Sequence, residues 1–218
     1  EGFESMLKLK EQGLYETDVE LTEGKRVVLF VTCSYKNSFF ADRSVAVSTA
    51  RAGNVIGGGD FAADRIIPDC VRAMSEGKTI SVRNPHSIRP YQHVLEPLAV
   101  YLMIAEKQYA DRHYEGCYNV GPDDCDCITT GDLADLFCKY WGENAVWVNQ
   151  EEKDAPHEAD FLKLDCSKLK QTFGWSPRWH MDECMKMTCR FSKKWLAGKN
   201  IPEEMDWEIA EFLKGNEK

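Results

Sequence analysis

The stretch ARAGNVIGGGD, residues 50–60, gathers Gly53, Gly57, Gly58 and Gly59 directly behind SVAVSTAR, residues 44–51. In SVAVSTAR, Val45, Val47 and Thr49 alternate onto one face, and β-branched alternation marks a strand. A dinucleotide fingerprint needs G-x-G-x-x-G opening a helix, and GNVIGGGD lacks that spacing. A Walker loop needs G-K-[ST], which does not follow. Two readings stay open. One is a strand-to-loop turn with several positive-φ positions. The other is a loop whose backbone comes close to a ligand, with Asn54 at a strand's carboxyl end, where open α/β sheets bind ligands.

Downstream, strand and helix signals alternate. DRIIPDCVRAMSEGK (64–78) predicts a helix, with Pro68 and Asp69 in its first turn and Gly77 as its stop. TISV (79–82) is a brief strand. HVLEPLAVYLMIAEKQY (93–109) carries Val94, Leu98, Tyr101, Leu102 and Ala105 at helical spacing, with Pro97 in the tolerant first turn. CYNVG (117–121) is a strand ending in a turn. TTGDLADLFCKYWG (129–142) is a helix capped by Thr129 or Thr130 and closed by Gly142. AVWV (145–148) is a strand. DCSKLKQTFGW (165–175) is a short helix capped by Asp165 or Ser167 and stopped by Gly174, and MDECMKMTCRFSKKWLAG (181–198) is the last long helix. Trp175 and Trp179 flank Pro177 in a packed turn between these two. The alternation makes the class α/β. In residues 1–30, ESMLKLKEQGLYE suggests a short helix, and KRVVLFV is an apolar run of either type.

The composition narrows the partners. With 43% hydrophobic and 29% charged residues, the 218-residue chain reads as an ordinary globular protein with a real core. Its net charge of −9 argues against nucleic acid, which needs clustered Lys and Arg. A small anion remains compatible, because a few local arginines outweigh the global field at short range. No long apolar run predicts a membrane span, and the N-terminus lacks an apolar signal core, so a cytoplasmic location is expected. Nine cysteines, odd in number and irregularly spaced, read as free thiols. Cys125 and Cys127 form C-x-C without a second pair at finger spacing, so no metal is expected.

VRNPHSIRPYQHV (82–94) packs Arg83, His86, Arg89 and His93 into a loop before a helix. Two guanidinium forks suit a diphosphate; a solvated loop with helix-capping charges is the alternative. Taken with ARAGNVIGGGDFAADRIIPDCVRA, RNPHSIRPYQHVLEPLAVYL, YNVGP and PHEADFLKLDCSKLKQTFGWSPRW, the loop brings out a likeness. Residues 33–197 resemble the C-terminal half of the CDP-glucose 4,6-dehydratase family, a branch of the extended short-chain dehydrogenase/reductases (NAD-dependent epimerase/dehydratases) acting on nucleotide sugars. R-x-G-N-x-x-G and D-x-S-K-x-x-x-x-x-G-W-x-P are superfamily patterns. RNPHSIRPYQHVLEP and PHEAxxLKLD are narrower and point to the CDP-glucose branch.

The resemblance implies the C-terminal part of a Rossmann-type, doubly wound parallel sheet plus a small substrate-binding domain. The expected organisation is an unplaced segment over 1–32, a Rossmann-type remnant over 33–60, and a substrate-binding part over 61–218 mixed with late Rossmann elements. In the family, NAD oxidises the sugar at C4, water leaves across C5–C6, and hydride returns to C6. A Tyr in Y-x-x-x-K is the general base, its pKa lowered by the Lys. None of the eight tyrosines here is followed four places on by Lys, and no G-x-x-G-x-x-G occurs near the N-terminus. VTCSYKNSFF (31–40) looks like the helix that continues from the family's Tyr/Lys pair. The expectation is therefore a truncated or rewritten dehydratase-like chain, with no catalytic or cofactor-binding residues of its own, that does not bind NAD alone. A non-catalytic nucleotide-sugar-binding or structural remnant, and another nucleotide-sugar epimerase or dehydratase, are the alternatives. Strands without their sheet neighbours lead us to expect self-association or a homo-oligomer.

The ligand implied is a CDP-sugar. By the resemblance Asn54 and Arg89 reach its diphosphate, Arg65 stands where relatives hold a basic residue near the nucleotide, and Val82 lines the base pocket through backbone groups. His157 and Glu158 stand where relatives use Arg-x-Glu on ribose or phosphate. For Arg65 a surface ion pair is the competing reading, and for His157 a turn with Pro156. His113 and His180 read as surface residues without assignment.

Overall fold

The computed structural model describes residues 46–142, 144–150 and 161–214. The expectations placed on residues 1–45, and those for His157 and Glu158, fall outside them. The described residues divide between two compact units, 46–51 with 101–118 and 52–100 with 119–214.

In the first unit, Val47 and Thr49 are buried while their neighbours are half-exposed, the alternation read from SVAVSTAR. Strand β1 (Thr49–Ala52) pairs with β6 (Cys117–Val120). The Thr49 N–H donates to the Gly116 carbonyl at 2.9 Å, and the Ser48 hydroxyl accepts from the Gly116 N–H.

The second unit holds the larger core. Strand β2 (Asn54–Ile56) lies parallel to β5 (Tyr91–His93), with Asn54 opposite Tyr91. Strand β3 (Ile80–Val82) lies parallel to β8 (Trp147–Asn149), and β4 (Ile88–Arg89) runs antiparallel to β7 (Ile128–Thr129). The helices are α1 (Ile66–Ser75), α2 (Leu95–Ala110), α3 (Thr130–Trp141), α4 (Ser167–Phe173), α5 (Met181–Leu196) and α6 (Ile201–Lys214). Parallel strands with intervening helices make the class α/β, as expected.

Local chemistry explains the boundaries. Thr129 and Asp132 form a reciprocal capping box on α3, and Gly142 closes it at φ 66°. Gly174 closes α4 in the left-handed region. Helix α5 buries Met181, Cys184, Met185, Thr188 and Cys189, a stripe at i, i+3, i+4, i+7 and i+8, while Lys186 is exposed and Lys193 and Lys194 are half-buried. Against it sit Leu133, Ala134 and Phe137 of α3, all fully buried. Trp179 is buried edge-on to Phe212 and His93, so the turn after α4 is packed as read.

Several boundaries depart from expectation. Helix α2 starts at Leu95, because His93 and Val94 still serve the β2–β5 ladder; the Val94 N–H donates to the Ile56 carbonyl at 2.8 Å. The last strand is shifted to Trp147–Asn149. Cys166 precedes α4, yet Asp165 still accepts the Ser167 N–H at 2.9 Å. The helix over 181–198 is not the last: α6 follows, with Asn200 ahead of it, Pro202 near its start and Glu203 in its first turn. The two-residue strands β4 and β7 carry too little pattern to be read.

Candidate functional site

Strand β1 hands over to β2 at Gly53, where no side chain fits: an added Cβ would lie 2.5 Å from the Pro90 carbonyl oxygen. The close approach lets the Asn54 N–H donate to that oxygen at 2.9 Å and fixes Asn54 beside β5. Beyond β2 the chain passes Gly58, whose added Cβ would fall 2.1 Å from the Phe191 ring. The glycines of the opening stretch thus serve close packing, with positive φ at Gly57 and Gly59.

Past the carboxyl ends of β2 and β3 opens a pocket of about 800 Å³, wholly within the second unit. Its walls are the 53–57 segment, the residues after β3 and the first turn of α1. Arg65 occupies the N-cap position of α1 without a side-chain cap bond. Ile66, Ile67, Pro68 and Asp69 of the helix's first turn line the pocket, which puts the positive end of the helix dipole at its wall. Arg83 and Asn84 enter as β3 ends, and Arg89 enters from β4. Asn54, Arg65, Val82 and Arg89, drawn from segments far apart in sequence, all line this one cavity.

Aspartates temper the positive charge. Arg65 pairs with Asp60 at 3.2 Å, and Arg83 pairs with Asp64 at 3.0 Å, all four lining the pocket. Asp64 sits at φ 63°, a left-handed position that aspartate tolerates better than most side chains. Asp69 is engaged by Arg72, which also donates to the carbonyls of Phe61 and Ala62 and so holds the 60–64 loop against α1. Arg89 donates to the Ile88 carbonyl at 3.0 Å.

A hydroxyl cluster lies on the pocket floor. The Ser87 and Thr130 hydroxyls are 2.8 Å apart, and the Tyr91 hydroxyl is 3.3 Å from Thr130. Thr130 also donates to the Ser87 carbonyl at 3.2 Å. Nothing in local sequence announces this cluster, because Thr130 joins Ser87 and Tyr91 from 43 and 39 residues away. Val82 lines the wall with its side chain buried and its carbonyl already accepting the Gln150 N–H at 2.9 Å. Of the loop histidines, His86 is exposed and is not among the residues lining this pocket, while His93 is fully buried, its Nε2 2.8 Å from Glu208. His180, read as a plain surface residue, bonds the buried Asp126 at 2.7 Å.

No family model matches the chain. Over 190 residues it is 40% identical to CDP-glucose 4,6-dehydratase of Salmonella typhimurium, a match that covers 84% of this chain and 52% of that protein. It therefore spans about half the length of this curated relative. Among solved structures, it is similar to a UDP-N-acetylglucosamine 4-epimerase from Methanobrevibacter ruminantium in complex with UDP-N-acetylmuramic acid, at TM-score 0.61 and 18% identity, covering 80% of this chain and 57% of that one. It is also similar to a dTDP-glucose 4,6-dehydratase from Bacillus anthracis in complex with NAD, at TM-score 0.56 and 16% identity, covering 74% and 48%. These likenesses establish the Rossmann-type fold of the epimerases and dehydratases.

Proposed function

The chain is a relative of CDP-glucose 4,6-dehydratase over most of its length, and from that premise we propose that its pocket binds a CDP-sugar as the substrate-binding part of such an enzyme. The observation that carries the reading is the convergence of Arg65, Arg83, Arg89 and the N-terminus of α1 on one 800 Å³ cavity. Guanidinium forks and helix N–H groups are the donors a diphosphate requires. Asn54 offers an amide at the same mouth. The hydroxyl cluster of Ser87, Tyr91 and Thr130 can exchange hydrogen bonds with ribose or sugar hydroxyls. His157 and Glu158 are proposed to complete the nucleotide end, on the family match alone.

The rim ion pairs fit this role. Arg65 and Arg83 are more than half exposed, so their bonds to Asp60 and Asp64 are individually weak. An entering diphosphate can take both guanidinium groups from the aspartates at small cost.

The reaction proposed for the complete machinery is conversion of CDP-glucose to CDP-4-keto-6-deoxyglucose, a step toward the deoxysugars of surface polysaccharides. NAD would supply the hydride chemistry there. The residues described here do not fit that cofactor: among them no G-x-x-G-x-x-G turn joins a strand to a helix, and the whole sequence has no Tyr–Lys pair at Y-x-x-x-K spacing. We therefore assign no NAD contact to this chain and route no step through it. The part proposed for its pocket in that machinery is to bind the nucleotide sugar.

Calorimetric titration with CDP-glucose tests the reading. Saturable binding that weakens as salt is raised is expected, because the contacts are ionic and partly exposed. Heats no larger than those of buffer dilution, at millimolar ligand, would overturn it.

A further inference from the structure

Away from the pocket, the turn after β6 and the start of α5 bring three different metal-ligating groups together. The Cys125 thiol, the Asp126 carboxylate and the His180 imidazole lie with one ligand atom each within 4.8 Å of the others. None of the three lines the 800 Å³ cavity. We propose that they form a binding site for a zinc-class divalent cation, which clips the 123–127 turn to the N-terminus of α5.

The separations agree with the chemistry. Tetrahedral zinc with ordinary bond lengths sets its nitrogen and oxygen ligands about 3.4 Å apart, and its sulfur and oxygen ligands about 3.6 Å apart. Here Cys125 Sγ is 3.7 Å from Asp126 Oδ2, and His180 Nδ1 is 2.7 Å from the same oxygen. Sulfur and oxygen are already at coordination distance. The imidazole needs to withdraw by about 0.7 Å to admit the ion. Its side chain is 65% exposed and has room to do so.

The carboxylate is the fixed point. Asp126 is buried, and its Oδ1 accepts the Met181 N–H at 2.8 Å, which orients Oδ2 toward the other two groups. Backbone bonds of this kind hold ligating carboxylates in metal sites. Capping α5 accounts for Oδ1 alone and requires neither the thiol nor the imidazole. The neighbouring acids are otherwise engaged, Asp123 by Lys170 and Asp124 by Lys163. One thiolate, one imidazole and one carboxylate select zinc or cobalt over magnesium or calcium, which prefer all-oxygen shells. Coordination releases the thiol proton to water and takes the imidazole as its neutral Nε2–H tautomer, with Nδ1 on the ion, and the fourth position is left to a water molecule. Sequence spacing hides the site, because His180 joins the C-x-C from 54 residues beyond Asp126.

Cobalt is the probe, since a cobalt–thiolate bond gives a charge-transfer band in the near ultraviolet. The reduced, metal-stripped full chain should develop that band, saturate at one equivalent and lose it when zinc is added. Cys125→Ser should abolish the band, and His180→Ala should weaken cobalt binding about tenfold or more. Cys117→Ser, a change at another exposed cysteine, should leave it intact. Zinc should raise the thermal midpoint of the wild type and not that of Cys125→Ser. Absence of the band in the wild type, or its survival unchanged in Cys125→Ser, overturns the proposal. Should Cys125→Ser not fold, unchanged cobalt affinity in His180→Ala overturns it equally.

Discussion

The Glu96 carboxylate accepts the backbone N–H of Trp179 at 2.8 Å across 83 residues of sequence, and the same oxygen takes the Arg178 N–H at 2.7 Å. Glu96 lies in the first turn of α2, within the HVLEP segment, and is 1% exposed. One buried oxygen thus anchors the turn ahead of α5. Glu96→Ala strands two donors, each costing about 1–3 kcal/mol when buried and unpaired, so a loss of about 2–6 kcal/mol in urea unfolding is expected. Glu96→Gln keeps an acceptor oxygen and should cost less than Glu96→Ala.

Burial raises the Glu96 pKa above its usual 4.5, and the Trp179 and Arg178 N–H groups only partly oppose the shift. The folded state therefore holds this proton more tightly than the unfolded state. The contribution to stability is full below about pH 4.5, falls as pH rises toward the raised value, and is then level. Stability measured against pH in wild type and Glu96→Gln should show this falling segment only in the wild type.

Gly58 is a packing position. An alanine there would put its Cβ 2.1 Å from the buried Phe191 ring, so Gly58→Ala should destabilise by about 1–3 kcal/mol through overpacking. Phe191→Leu in the same chain should recover part of that loss. Strict additivity of the two changes in a double-mutant cycle would remove the contact from the account.

The thiols should divide by burial. Desolvation pushes the Cys189 thiol up to about 12 and those of Cys70 and Cys184 higher still, so none forms thiolate near neutral pH. Brief iodoacetamide treatment of the native protein, read by peptide mass spectrometry, should modify the exposed Cys117 and spare these three. All three should react once urea unfolds the chain.

How much of this was legible varies with the range of the forces involved. Pro68 and Gly77 mark both ends of α1, and Thr129 with Gly142 mark both ends of α3, because caps and stops act within a few residues. Helix α6 carries readable start signals in Asn200, Pro202 and Glu203, although the expected last helix ends at Gly198. The strand pairing of Ile88 with Thr129 was not readable, since two residues have no period. A family likeness points to Asn54, Arg65, Val82 and Arg89, and only the fold brings them to one cavity. Arg83 was visible in the same loop as Arg89, but its partner Asp64, 19 residues earlier, was not. The Ser87–Thr130–Tyr91 hydroxyls and the Asp126–His180 pair depend wholly on tertiary contact.

The central claim is that the pocket receives the diphosphate of a CDP-sugar, and the affinity of CDP for wild type and Arg89 variants tests it most directly. Charge-assisted bonds from a shielded guanidinium contribute roughly 1.5–3 kcal/mol, so Arg89→Ala should weaken CDP binding about 10- to 150-fold at fixed salt. Arg89→Lys should restore only part of the loss, because an ammonium keeps the charge but not the planar fork. His113→Ala, a change at an exposed residue in the other unit, should leave the affinity unchanged. Equal CDP affinity in wild type and Arg89→Ala would contradict the account.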